Sequence, residues 1–476
     1  MSLPTHHPTS ETFRANALAA LADDTLRGAL QRATGTLSER RKAAIAELPE
    51  WDALRARARA VKAEVLSRLD HYLEEFVARA QEAGATVHWA RDGARACAIV
   101  AEIAAGLGRP TIVKSKSMTT EEIHLNEHLE RGGLEPVETD LGEWIIQLAG
   151  EMPSHITAPA IHKTRGQIAR LFVEKIGSEP TDDVQELTLA ARKALRRHFA
   201  AADLGISGVN FAVAETGSIL ILENEGNIRL TTSLPRVHVA VMGIEKVIPR
   251  FSDLELFLRL LPRSGTGQHL SGYQSILTGP PPAGGEGPAE MHIVLLDNGR
   301  SAMLREEVTR QSLACIRCGA CLNFCPVYQQ IGGHAYGSVY PGPIGAVITP
   351  QLNGLEKTAQ LPFASSLCGA CRDVCPVEID IPRLLLHLRA LVSEGRDLPG
   401  FDGTVPRKRG EALAFRLWAW AMTSPRRYRA AAALARLGTK LGLSRLAPPV
   451  AAWRAARELR PFASRSFRDQ WRELER

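Results

Sequence analysis

The chain has 476 residues, 45% of them apolar and 23% charged, and carries a net charge of +6. That length accommodates two to four domains, and the apolar content excludes wholesale disorder. No run of about 18 uncharged apolar residues occurs, which excludes a membrane-spanning helix.

The opening segment, MSLPTHHPTSETF, has neither the basic start nor the apolar core of a secretory signal, so a cytoplasmic protein is expected. A helical region is expected over 1–65. It continues into the next segment, because Leu54, Val61, Val65, Leu69, Leu73 and Val77 recur at helical spacing and Gly84 closes the run. An α/β domain over 66–300 follows. TVHWA and TIVKS read as strands, and ARACAIVAEIAAGLG as a helix between them. MTTEEIHLNEHLERGG reads as one helix opened by the capping pair Thr119/Glu122, and DDVQELTLAARKALRRHFAAADLG as another that ends at its Gly. VNFAVAETGSILILENEGN reads as two strands joined at Glu215-Thr216-Gly217. HVAVMGIEKVIP is one strand, SDLELFLRLLPRS a helix and MHIVLLDNG a last strand. Strands alternating with helices imply βαβ units and a mostly parallel sheet.

Of the 8 cysteines, seven lie between Cys315 and Cys375. Cys97 stands alone in a helical pattern and reads as a small buried residue. The odd cluster reads as metal binding in a reducing compartment rather than as a disulfide framework. Cys315-Ile-Arg-Cys318-Gly-Ala-Cys321-Leu-Asn-Phe-Cys325-Pro326 follows the C-x2-C-x2-C-x3-C-P run, in which the fourth cysteine serves a second cluster. Cys368-Gly-Ala-Cys371-Arg-Asp-Val-Cys375-Pro376 repeats it, with Ser365 where its leading cysteine should stand. The expected groups are therefore Cys315, Cys318, Cys321 and Cys375 at one cluster, and Cys325, Cys368 and Cys371 at the other. The second cluster is [4Fe–4S] with a non-cysteine ligand, Ser365 or water, or a three-iron cluster. Zinc fits poorly, because two all-cysteine tetrahedral sites need eight thiolates. His334 and Tyr336, between the two motifs, are expected as surface loop residues beside a cluster, with a role at an electron-acceptor site as the alternative.

These segments carry a family resemblance. VKSKSMTTEEIHLNEHLE, VETDLGEWIIQLAGEMPSHITAPAIH and ETGSILILENEGNIRLTTSLPRVHV resemble the LUD domain. CIRCGACLNFCPVYQQIGGHAYGSVYPGPIG and SSLCGACRDVCPVEI resemble the iron–sulfur segment of the lactate utilization protein B family, and the likeness spans about residues 65–395. The resemblance implies a Rossmann-like α/β domain of the CoA-transferase and ribose-phosphate-isomerase class beside an α-helical two-cluster ferredoxin-like domain over 301–395. It also implies membership of a complex oxidising L-lactate to pyruvate, with a cysteine-rich protein and a second LUD protein as partners.

The α/β domain offers a candidate anion or substrate site. Lys114 and Lys116 end a strand before a helix N-terminus, where amide donors and positive charge favour a carboxylate or phosphate. Glu215 and Thr216 lie in one polar turn, and Glu225 and Asn227 in the next. Solvated lysines and ordinary hairpin chemistry are the competing reading. His124, His128 and His162 make no metal motif, and Ser264-Gly-Thr-Gly267 follows a helix, so it is not a dinucleotide fingerprint.

From Phe401 onward, 17 Lys and Arg face 6 Asp and Glu, a surplus of +11 that leaves the first 400 residues at −5. This basic extension, assigned to 396–476, holds four of the seven tryptophans. Helices with Arg on one face and Trp or Leu on another fit an anionic membrane surface or a partner subunit, whereas no nucleic-acid motif accompanies the charge. No flavin or nicotinamide signature occurs, so an electron relay is expected rather than a hydride-abstracting enzyme. The alternatives are a relay for another hydroxyacid or disulfide oxidoreductase, and a redox-sensing regulator.

Overall fold

The computed structural model describes residues 9–403, 405, 409–441, 462, 463 and 465–474. The chain divides into two compact units, Met1–Val405 and Pro406–Arg476.

The first unit opens with helices Phe13–Leu21, Asp24–Ala46, Trp51–Ser67 and Leu69–Glu82. The stripe expected as one helix breaks at Arg68, where φ is −139° and ψ is 40°. The break lets the two halves bury against different things. Trp51 and Ala58 join the core that contains the cysteines, while Leu69, Leu73 and Phe76 pack on the sheet. Gly84 ends the run at φ +91°, as expected, with Ala85 N–H reaching back to Ala80 O at 2.9 Å.

Six strands form an all-parallel sheet. They are β1 (Thr86–Ala90), β2 (Ile112–Lys114), β3 (Pro136–Glu138), β4 (Leu204–Gly208), β7 (Val237–Gly243) and β10 (Glu290–Leu296), in the order β1-β10-β7-β4-β2-β3. Every residue of β7 is buried, the mark of a central strand covered on both faces. Helix Gly93–Gly106 supplies Ile99 and Val100 to one apolar cluster on this sheet. Helices Arg165–Ile176 and Val184–Ala200 form another around Phe172, Leu187 and Leu195. A small mixed sheet runs β8-β5-β6-β9, from β5 (Phe211–Val213), β6 (Ser218–Glu223), β8 (Val247–Ile248) and β9 (Tyr273–Leu277). β5 and β6 form the hairpin expected at Glu215-Thr216-Gly217, and Gly217 has φ +68°.

Three expectations need correction. HVAVMGIEKVIP is not one strand. It turns at Ile244–Lys246 and passes from the parallel sheet (β7) to the mixed one (β8), which puts Glu245 and Lys246 at the junction. MTTEEIHLNEHLE is two short helices, Met118–Glu122 and Leu125–Arg131, divided by His124 at φ +53°. Ser117, not Thr119, caps the first, its hydroxyl accepting from Thr120 N–H at 3.3 Å, and Glu122 is drawn away by other partners. Gly205 does not end a helix. It lies inside β4, where an added Cβ would strike the Thr231 carbonyl.

A single apolar core joins the N-terminal helices, one face of the mixed sheet and most of the cysteine-bearing segment, from Leu30 through Phe257 and Tyr336 to Leu398. The second unit presents helices Arg409–Met422, Pro425–Lys440 and Phe467–Leu474. Trp453 of the basic extension lies outside the described residues. Among the described residues, no helix is long and apolar enough to cross a membrane.

Candidate metal centre and adjoining cavity

The two cysteine loops share a backbone conformation. Arg317 and Leu367 are both left-handed, at φ +61° and +57°, and Gly319 and Gly369 follow at +77° and +89°. Each loop then enters a single helical turn, Ala320–Asn323 or Ala370–Asp373. Left-handed backbone at a non-glycine residue costs roughly 1–2 kcal/mol, and successive amides turned inward make a nest for negative charge. Arg317 N–H points at Cys315 Sγ at 3.4 Å, and Leu367 N–H donates to Ser365 Oγ at 3.0 Å. The Ser365 oxygen therefore stands in the second loop where the first holds a sulfur. At the other ends of the motifs, Cys325 Sγ accepts from Tyr328 N–H at 3.5 Å and Cys375 Sγ from Ile379 N–H at 3.3 Å. Such donors favour thiolate over thiol.

Cys315, Cys318, Cys321 and Cys375 line one small cavity, walled by Ile156, Ile344, Val377 and Ile381. Cys371 lies within the electrostatic influence of Cys325 and Cys368, and burial with these neighbours pushes its thiol up to about 12. Cys368 is exposed, whereas Cys325 and Cys371 are buried. Among the described residues, no three His, Cys, Asp or Glu side chains converge as the ligands of a single ion would. A zinc site draws its sulfurs to about 2.3 Å from one point. Thiols spread around an apolar void suit a polynuclear cluster instead. Burial pushes Cys375 up to about 11, and Cys318 and Cys321 higher still. Burial thus favours the neutral thiol here, and metal ligation is what favours the thiolate. Cations that offset the resulting charge are in place, with Arg41 Nη2 on Val374 O at 2.9 Å and Arg55 Nε on Cys375 O at 3.0 Å.

The loop between the motifs is less exposed than expected. Tyr336 is fully buried, because Phe13 from the N-terminal region packs its ring at 5.4 Å. His334 is also largely buried; its Nε2 lies 2.6 Å from Met152 O, to which it donates. His155 is held neutral, since burial lowers its pKa to about 4, and its Nδ1 accepts from Thr157 and Ala158 N–H. Its Nε2 faces Asn323 Oδ1 at 3.1 Å, two residues beyond Cys321.

A second cavity, of about 270 Å³, opens beside the first cysteine group, and Ile156, Arg317 and Cys318 line both. It lies beyond the carboxyl ends of β2 and β4, where open parallel sheets bind ligands. Lys116, Glu225 and Asn227 line it, whereas Lys114, Glu215 and Thr216 do not. Lys114 is wholly buried and paired with Glu138 at 2.6 Å and Glu121 at 3.0 Å. Burial works to lower its pKa, but Glu138 and Glu121 outweigh that and keep it charged. Lys116 is tied to Glu143 at 2.8 Å. Glu215 accepts from Phe251 N–H at 2.8 Å, which makes it a turn residue. Cys97 is buried as expected, and His124 and His162 are each paired with a nearby glutamate.

Sequence reading missed a buried charge cluster between the sheet and the cysteine loops. Arg300 pairs with Glu122 and, through Nε at 2.6 Å, with Glu245. Arg317 reaches Glu245 at 3.5 Å and lies over the Tyr340 ring at 4.7 Å, and Tyr340 donates to Glu122 at 2.7 Å. These partners lie 23 to 218 residues apart, so no local pattern announces them.

Comparison with known proteins matches three families in chain order. They are the LUD domain over residues 73–296, the 4Fe-4S dicluster domain over 311–379, and Lactate utilisation protein B, C-terminal, over 393–476. A protein named Lactate utilization protein B from Shouchella clausii (strain KSM-K16) is 42% identical over 94% of this chain and 94% of its own length. Its namesake in Bacillus velezensis (strain DSM 23117 / BGSC 10A6 / LMG 26770 / FZB42) is 41% identical over 98% and 97%. A protein from Escherichia coli (strain K12), named Uncharacterized electron transport protein YkgF, is 45% identical over 81% and 82%. With identity of this order across nearly the whole chain, the cysteine loops and the LUD domain together place it: the chain belongs to the lactate utilization protein B family.

Proposed function

We propose that this chain is the iron–sulfur electron-transfer subunit of a complex oxidising L-lactate to pyruvate. The observation that carries the reading is the pair of conformationally matched cysteine loops sharing one buried core. Cys315, Cys318, Cys321 and Cys375 hold the first cluster. Cys325, Cys368 and Cys371 hold the second, with the Ser365 oxygen as its fourth ligand. [4Fe–4S] clusters in these positions supply one-electron transfer. The protein's own part is to exclude water with Ile156, Ile344 and Ile381, to aim backbone N–H groups at the sulfurs, and to offset their charge with Arg41 and Arg55. The parallel order of the six-stranded sheet supports a Rossmann-like, CoA-transferase-class reading of the LUD domain.

The partners are a cysteine-rich protein and a second LUD protein, in the cytoplasm. The second unit supports a peripheral membrane contact, because Phe415, Leu417, Trp418 and Trp420 are exposed on one arginine-bearing helix. The test is anaerobic addition of L-lactate to the reconstituted three-protein complex. Bleaching of the iron–sulfur absorbance is expected; reduction only by a different hydroxyacid would reassign the substrate.

A further inference from the structure

We propose that the 270 Å³ cavity beside the first cysteine group is a binding site for a short hydroxy- or oxo-carboxylate, whose carboxylate is held by Lys246 and Arg317. The inference deepens the electron-transfer reading by giving this chain a ligand of its own. Lys246 sits in the turn between β7 and β8 and is only 8% exposed. Among the described residues, its ammonium has no hydrogen bond or ion pair. Burial lowers its pKa to about 8, and the neighbouring Arg317 adds to that effect. The Arg317 side chain is 9% exposed, and its Nη1 is buried without a hydrogen-bond acceptor. Glu245 pairs with Arg317 on its far side at 3.5 Å and with Arg300, which leaves the Lys246 ammonium and the second Arg317 nitrogen with unused donors that a ligand carboxylate would satisfy.

The opposite wall selects the rest of the ligand. Glu223 has both oxygens taken, by Ile228 and Arg229 N–H at 2.6 and 2.9 Å. Burial pushes Glu225 up to about 7, reinforced by Asp140, whose own pKa burial also raises. Asn210 and Asn227 on this wall suit a hydroxyl or keto oxygen, and the carboxyl groups of Asp140, Glu223 and Glu225 that line it reject a second anionic group. Cys318 lines this cavity as well as the first cysteine group's, so the ligand would lie against the first cluster.

The test is titration of the full, cluster-loaded chain with L-lactate, pyruvate and inorganic phosphate, followed by calorimetry and by the electron paramagnetic resonance spectrum of the reduced clusters. The two carboxylates are expected to bind and alter that spectrum, and phosphate is not. Lys246→Met should weaken carboxylate binding roughly tenfold or more, the effect of losing one charge-assisted hydrogen bond, while Lys246→Arg retains it. Undiminished binding by a folded Lys246→Met, no binding by the wild type, or equal binding of phosphate overturns the proposal. Should Lys246→Met not fold, the wild-type titration decides alone. Cluster reduction by lactate in the complex without carboxylate binding to this chain keeps the relay role and overturns this site; binding without reduction does the opposite.

Discussion

Arg300 clasps Glu122 through two hydrogen bonds, Nη1 to Oε1 at 2.8 Å and Nη2 to Oε2 at 2.9 Å. The pair is almost wholly buried and ties the short helix after β2 to the segment that leads into the first cysteine loop. Bidentate geometry gives such a pair direction as well as energy. Removing one partner strands the other charge. Arg300→Met should destabilise the chain by about 3–5 kcal/mol, read as a lower urea midpoint, and an Arg300→Met/Glu122→Leu double variant should lose less than the two singles combined.

The same cluster predicts an acid response. Burial favours the neutral form of Glu245, but Arg300 and Arg317 outweigh it and lower its pKa from 4.5 to about 2, and Arg300 likewise lowers Glu122. A carboxylate whose folded pKa is depressed stabilises fully above its unfolded value and loses that contribution as pH falls through the folded one. Tryptophan fluorescence during acid unfolding should show wild-type stability falling between about pH 4.5 and pH 2. Glu245→Gln should be less stable at neutral pH and flatter over that window.

Iron content separates the two cysteine groups. Cys315→Ser and Cys375→Ser should each lower iron from about eight to about four atoms per chain and spare the same remaining spectrum. Cys368→Ser and Cys371→Ser should spare the other one, and Cys97→Ser should change nothing.

Ser365 is tested by what replaces it. Ser365→Cys should give a second cluster with four thiolates and a shifted reduction potential. Ser365→Ala should yield the electron paramagnetic resonance signal of a three-iron cluster on oxidation. An Ala variant with an unaltered spectrum would show that the oxygen does not ligate.

The second unit is expected to govern membrane contact. The chain ending at Val405 should fail to float with anionic liposomes that carry the full-length protein, and added salt should weaken the full-length interaction. Equal flotation of both chains would assign the tail to another partner.

Much of this was legible in local pattern. Strand and helix alternation gave the parallel sheet, and the β5–β6 hairpin fell where Glu215-Thr216-Gly217 marked it. The register of the cysteine motifs put Ser365 opposite Cys315 before the matched φ angles did. What escaped were features whose cause is remote. β3 is only three residues long, too short for a period to register. β4 hides behind Gly205, a residue that reads as a helix end but is there because the Thr231 carbonyl leaves no room for a side chain. Lys114 reads in sequence as either an anion-site or a solvated strand-end lysine, yet Glu138 from β3 pairs with it in the interior.

The sequence by itself determined the two cysteine motifs on which the iron–sulfur reading rests, because their spacing belongs to the chain alone. It also determined the charge division between body and tail, which is a matter of counting. Only the tertiary structure decided which cations are tied up in the interior and which face the cavity. Lys114 and Lys116 were the sequence's candidates, but both are consumed by carboxylates brought from other elements. Lys246 and Arg317 were unremarked in sequence, and they meet at the cysteine-side wall of the cavity because β7 turns into β8 beside the first loop. A side chain's charge is written in the chain, whereas its partner is chosen by packing across long separations.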